Sequence, residues 1–212
     1  MQRGFTLIEV LVVVSILGVL AGLISVLITQ AGKKRLEFET TQTITLVRTA
    51  IENYNSDFHR LPPETMAAFA GTQWAGLSVS GNTTNECNEC LLVALRHPDL
   101  RTPLDQLPTS EPYGNRDRDI WNKIPMGSDV VDAKEILDAY GNPIVYITKN
   151  HYDDTIQVTL IDETIVDVHA VKRSGGAYYN PDGFQLISLG RNQKQDPDEK
   201  VDDIENFTRE GD

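Results

Sequence analysis

Gly4-Phe5-Thr6-Leu7-Ile8-Glu9-Val10-Leu11-Val12-Val13 opens an apolar run that continues to Ile28 and holds a single charged residue, Glu9. As a helix rising about 1.5 Å per residue, the run spans about 36 Å, enough to cross a hydrocarbon core of about 30 Å. A secretory signal peptide has a basic start, a shorter apolar region and a small-residue cleavage site behind it. Here the run is too long, and it passes into Thr29-Gln30-Ala31-Gly32 and the basic cluster Lys33-Lys34-Arg35 with no Ala-x-Ala site. A plain membrane anchor fits the length but leaves Glu9 without a reason. A carboxylate in hydrocarbon costs a few kcal/mol on insertion scales, and such groups have a partner or a function.

Beyond the run, the first proline is Pro62. Leu36, Thr40, Ile44, Val47, Ile51, Tyr54 and Phe58 recur at steps of three and four, which lays a mostly apolar stripe along a helix. Glu39, Gln42, Arg48, Glu52 and Asn55 occupy the other face. One helix from Phe5 to about Ser56 is therefore predicted, apolar all round in its first half and amphipathic in its second. Leu61-Pro62-Pro63 closes it, because proline disfavours helix at the preceding residue.

The whole chain has 212 residues and a net charge of −12. That length suits one modest domain plus an extra element. The acidic balance excludes a nucleic-acid partner, which requires clustered Lys and Arg, and leaves the chain able to hold a hard cation. The middle of the chain carries Cys87-Asn88-Glu89-Cys90 ahead of a short predicted helix, Leu91 to Arg96. Two cysteines are half of a four-thiolate zinc site and too few for a multi-bridge scaffold. A local Cys87–Cys90 disulfide is the expected state, with free thiols as the alternative. A redox motif would sit in a βαβ unit, and none is evident. Glu111 to Asp119 reads as a polar, solvent-exposed turn region. Asp138 to Pro143 reads as a tight turn feeding a strand at Ile144 to Ile147. Further strands are predicted around Ile156–Leu160, Ile165–Ala170 and Phe184–Leu189, making a small antiparallel sheet with one face for the helix. The fold class is α+β.

Met1-Gln2-Arg3-Gly4 followed by Phe5 and by Glu9 five residues into the apolar run resembles the leader of type IV pilins and pseudopilins. That resemblance implies cleavage between Gly4 and Phe5 by a prepilin peptidase and N-methylation of Phe5. It also implies pairing of Glu9 with the N-terminal ammonium of a neighbouring copy as helices stack into a filament, two opposite charges stabilising each other in an apolar bundle. Many relatives carry a proline about where Val26 stands here, so the helix unwinding associated with it is not implied for this chain. Gly18 and Gly22 form a G-x-x-x-G pair that permits close helix approach in lipid.

Asp138-Ala139-Tyr140-Gly141-Asn142-Pro143 and the strand from Phe184 to Gly190 with its acidic continuation are similar to the major pseudopilin, G type, of the type II secretion system. That likeness implies a calcium loop whose ligand positions fall on Asn192, Asp202 and Asp203, with a carbonyl from Leu189. Asp196 and Asp198 are substitutes for the neutral Asn192, since calcium takes six to eight oxygen ligands. The organisation implied is leader 1–4, membrane and filament-core helix 5–30, amphipathic half 31–60, irregular insertion with a short helix 61–137, and sheet with acidic loop 138–212. The partners implied are further copies of the chain, minor pseudopilins, an inner-membrane assembly platform and the prepilin peptidase. The location implied is the bacterial inner membrane, single-pass, with the C-terminal domain in the periplasm. A count of flanking charges points the other way, because Lys33, Lys34 and Arg35 follow the helix and only Arg3 precedes it.

No nucleophile elbow, P-loop, His-Glu-x-x-His or dinucleotide fingerprint occurs, and His59, His97, His151 and His169 lack ligand spacing. An enzyme is not expected. The function expected is a structural subunit of a periplasmic pseudopilus that drives protein export. The alternative is a minor pilin or adhesive tip subunit of a type IV filament.

Overall fold

The protein is described by a computed structural model, covering residues 7–69, 83–96, 103–118, 124–126, 129–131, 134–195 and 203–207. Helix α1 runs from Leu7 to Phe58 without interruption. By contacts the chain divides into two units, Met1–Phe38 and Glu39–Asp212. In the first, the window Leu7–Ile24 is long and apolar enough to cross a membrane, and none of it is buried within the protein. Gly18 and Gly22 stand in open space.

In the second unit α1 buries Thr40, Thr43, Ile44, Val47, Ala50, Ile51 and Tyr54. This is the predicted stripe from Thr40 to Tyr54, with its ends Leu36 and Phe58 only half-buried and with Thr43 and Ala50 added, small side chains that let the neighbouring elements close on the helix. The opposite face is solvated, with Arg48 Nε on Glu52 Oε1 at 2.8 Å one turn away.

Helix α2, Glu86–Leu95, starts five residues before the predicted helix, so both cysteines lie inside it. Short strands follow: β1 (Tyr113–Gly114), β2 (Ile124–Met126), β3 (Asp129–Val131) and β4 (Glu135–Ile136), with β1 pairing β4 and β2 pairing β3. Then come β5 (Val145–Thr148), β6 (Ile156–Thr159), β7 (Ile165–Val168), β8 (Phe184–Ser188) and β9 (Ile204–Glu205). A three-stranded antiparallel sheet has the order β5-β8-β9, with Val145 opposite Ile187 and Ser188 opposite Ile204. Strands β6 and β7 form a separate antiparallel hairpin.

One face of the sheet packs on the helix as expected, and the other face is buried as well, since β5 and β8 are buried at every position. Alternation sends Tyr146, Phe184 and Leu186 into a core with α1 and α2, and Val145, Ile147 and Ile187 into a second core with Val158, Leu160 and Val168 of the hairpin. The sheet is thus the middle of three layers. Residues 61–137 contribute more to this packing than their irregular sequence indicates, since Leu91 to Leu95 and Ile136 are all 0 % exposed.

Gln185 and Tyr146, polar groups caught between the layers, are paired, as most buried polar atoms are. Gln185, at the centre of β8, accepts from Val171 N at 2.7 Å and donates to the carbonyls of Val171 and Tyr179 at 3.0 and 2.9 Å. Tyr146 Oη donates to Pro62 O at 2.9 Å, fixing the chain that leaves α1.

Candidate functional site

At the membrane end, Gly4 and Phe5 lie outside the described residues. Glu9 sits in the first turn of α1 with an exposed side chain. A negative charge there complements the partial positive charge of a helix N-terminus. The surrounding large side chains, Leu7, Ile8, Val10, Leu11, Val12 and Val13, are all exposed. This segment therefore offers a continuous apolar surface with one carboxylate near its start, suited to lipid or to identical helices.

At the C-terminal end, Asp196, Asp198 and Asp202 lie outside the described residues. Asn192 is exposed, and its Oδ1 accepts from Lys194 N at 2.8 Å. Leu189 is fully buried, and Asp203 is buried just ahead of β9. The turn that resembles the pseudopilin signature is built around Asp138. Its Oδ1 accepts from Tyr140 N and Asn142 N, both at 2.9 Å, and its Oδ2 from Ser188 Oγ at 2.6 Å. Gly141 takes φ +85°, a conformation that favours glycine, and a Cβ there would push aside Ile161 Cδ1, 2.7 Å away at the tip of an exposed side chain. Asn142 donates from Nδ2 to Gly190 O at 3.4 Å and accepts from Ile161 N at 3.1 Å. The motif is thus a structural junction between β5, β8 and the hairpin. Burial pushes the Asp138 carboxyl up to about 6 in spite of its donors.

Cys87 and Cys90 are buried as free thiols. Burial pushes the Cys87 thiol up to about 12 and holds that of Cys90 well above its ordinary value. Neither has the lowered pKa of a reactive cysteine. Cys87 borders a cavity lined also by Glu64, Glu86, His151, Asp154 and Asp167. There His151 Nδ1 is 2.7 Å from Asp154 Oδ2 and its Nε2 3.6 Å from Glu64 Oε2. Glu64, buried, accepts from Thr148 N and from Thr148 Oγ1, and burial raises its carboxyl.

A further cluster escaped sequence reasoning. Glu89 of α2, Glu135 of β4 and Asp117 of the loop after β1 converge, one carboxylate oxygen from each lying within 4.8 Å of the others. Glu135 Oε1 accepts from Arg116 N at 2.7 Å and Asn85 Nδ2 at 2.9 Å. Burial raises the Glu135 carboxyl, and these donors oppose the shift. The loop that carries Asp117 was expected to be solvent-exposed. Instead Tyr113, Gly114, Arg116 and Asp117 are half-buried, because Arg116 Nε donates to Gly141 O at 2.9 Å and ties the loop to the junction turn. Nothing in sequence spacing links the three acids, which lie 28 and 18 residues apart in the chain.

No curated protein and no solved structure matches the chain. Residues 1–25 match the family model described as the prokaryotic N-terminal methylation motif. That motif implies processing by a prepilin peptidase and assembly into a pilus. With the one candidate membrane span among the described residues starting within it, the match supports a membrane-anchored, type IV pilin-like protein.

Proposed function

We propose that this protein is a structural subunit of a periplasmic pseudopilus of the type II secretion kind, closest in role to the major pseudopilin, and that its polymerisation drives protein export. The observation that carries this reading is Glu9, the lone charge in an otherwise apolar helix that begins at a prepilin-type leader. Cleavage between Gly4 and Phe5 creates an α-amine on Phe5. In a stack of such helices the amine of one copy neutralises Glu9 of the next, and the exposed apolar surfaces of α1 cover one another. The same helix continues into the globular unit, so each copy brings its folded domain to the filament. The catalytic role of an enzyme has no place in this scheme, and the C-terminal domain lies on the periplasmic side.

Support for the major-subunit assignment comes from the junction turn at Asp138 to Pro143 and the closing strand β8. The acidic segment after β8 holds calcium through Asn192, Asp202, Asp203 and the Leu189 carbonyl, with Asp196 or Asp198 as further ligands. Cys87 and Cys90 form a local disulfide once exported. Alkylation of the denatured chain from cells would find no free thiol in that case and two in the contrary case.

Mass spectrometry of the membrane-extracted protein tests the processing. The reading predicts a mature chain that begins at methylated Phe5. An intact Met1, or a cut near Ala31, contradicts it.

A further inference from the structure

The Glu89, Asp117 and Glu135 carboxylates meet at a junction that is otherwise fully braced. Asn85, the residue before α2, is held in the left-handed region at φ 63°. Its Oδ1 accepts from Thr159 N at 2.9 Å while its Nδ2 donates to Glu135 Oε1. One turn on, Asn88 clamps β4, accepting from Ile136 N at 2.6 Å and donating to Ile136 O at 3.0 Å. These contacts set the start of α2 against β4 and hold the Glu135 backbone and one of its oxygens in place.

The other oxygen decides the matter. Glu135 is 0 % exposed, and its Oε2 is buried with no hydrogen-bond partner among the described residues. A buried carboxylate oxygen without a donor is heavily penalised. Two further acids point into the same space, Glu89 itself 0 % exposed, which compounds the penalty by like-charge repulsion. A group that accepts lone pairs from all three removes both costs.

The donors are all oxygen, which selects a hard cation over zinc or copper. One carboxylate oxygen from each acid lies close enough to the other two for a single ion to touch all three. Calcium accepts a site built from protein oxygens in a flexible geometry, whereas magnesium dehydrates reluctantly and keeps several waters, which a buried cluster disfavours. We propose that Glu89, Asp117 and Glu135 form a binding site for a hard divalent cation of calcium size, which fastens the loop after β1 and strand β4 to helix α2. This site is separate from the acidic segment after β8 and draws on none of its residues.

The full chain in detergent micelles, stripped of metal, is titrated with calcium alone by calorimetry and by thermal unfolding. Four forms are compared: the native chain, Asp203→Asn, and Glu135→Gln and Asp117→Asn, each made on the Asp203→Asn background so that the acidic segment after β8 does not contribute. Glutamine keeps the acceptor for Arg116 N and Asn85 Nδ2 and removes the charge. The expected result is calcium binding with a rise in Tm for the native chain and for Asp203→Asn, and at least a tenfold weaker affinity for Glu135→Gln with no loss of metal-free Tm. Asp117→Asn, at the half-buried position, is expected to weaken binding in the same direction and serves as the readout should Glu135→Gln misfold. Equal affinity and an equal Tm rise in Glu135→Gln or Asp117→Asn and their Asp203→Asn parent would overturn the proposal. So would a native chain that takes up no calcium, or one whose calcium binding disappears in Asp203→Asn alone.

Discussion

At Asp138 a buried carboxylate accepts three hydrogen bonds and knits the turn before β5 to the end of β8. Asp138→Ala leaves those donors facing a void and is expected to cost about 2–4 kcal/mol, read from denaturant midpoints of the micelle-held chain. The same residue gives a pH signature. Its carboxyl is raised in the fold to about 6 against about 3.9 in an unfolded chain. Between those values the folded state binds more protons than the unfolded state, so this group's contribution is fully present below about pH 4 and is lost as pH rises through about 6. The loss amounts to about 3 kcal/mol. Asp138→Asn cannot titrate, so its stability relative to the native chain should improve by about that much between pH 4 and pH 7. A constant difference across that range would show that the carboxyl is not raised. Gly141 belongs to the same turn, and Gly141→Ala should destabilise by more than 1 kcal/mol, because a side chain meets both the positive φ and Ile161.

Among the elements, α1 was the most legible and α2 the least. The three- and four-residue spacing from Thr40 to Tyr54 follows directly from helix geometry, and the residues so spaced are those the second unit buries. Strands β5 to β8 were visible through alternation and turn residues. Their burial on both faces was not, because Gln185 and Ser188 look like solvent-facing positions until Val171, Tyr179 and Asp138 are brought against them. The polar side chains of Glu86, Asn88 and Glu89 resemble a loop and so conceal the first turn of α2. Asn88 and Glu89 are buried instead through partners some fifty residues away, a proximity no local pattern encodes. The stripe on α1 yields a direct test. Ile51→Ala removes side-chain volume at a position with no exposure and is expected to cost about 2–5 kcal/mol, whereas Gln42→Ala on the solvated face should stay within about 0.5 kcal/mol. Comparable losses at both would mean that α1 does not pack on the sheet as described.

For the whole molecule, the leader, the apolar half of α1 and the globular unit divide the work of a filament subunit. The first 25 residues were readable in sequence because a charge in an apolar run is rare and needs a physical reason. The proposed function places the globular unit in the periplasm, against the pull of Lys33, Lys34 and Arg35. A periplasmic reporter enzyme fused after Asp212 should be active in cells. The central claim is that Glu9 is tolerated in the apolar helix because the terminal amine of an adjacent copy neutralises it. Sheared-filament yield from cells overproducing Glu9→Gln, set against the native chain at equal membrane content, measures this most directly. The account predicts normal membrane insertion and processing with filament yield reduced at least tenfold. Filaments at the native level from Glu9→Gln would contradict it and leave α1 as an anchor alone.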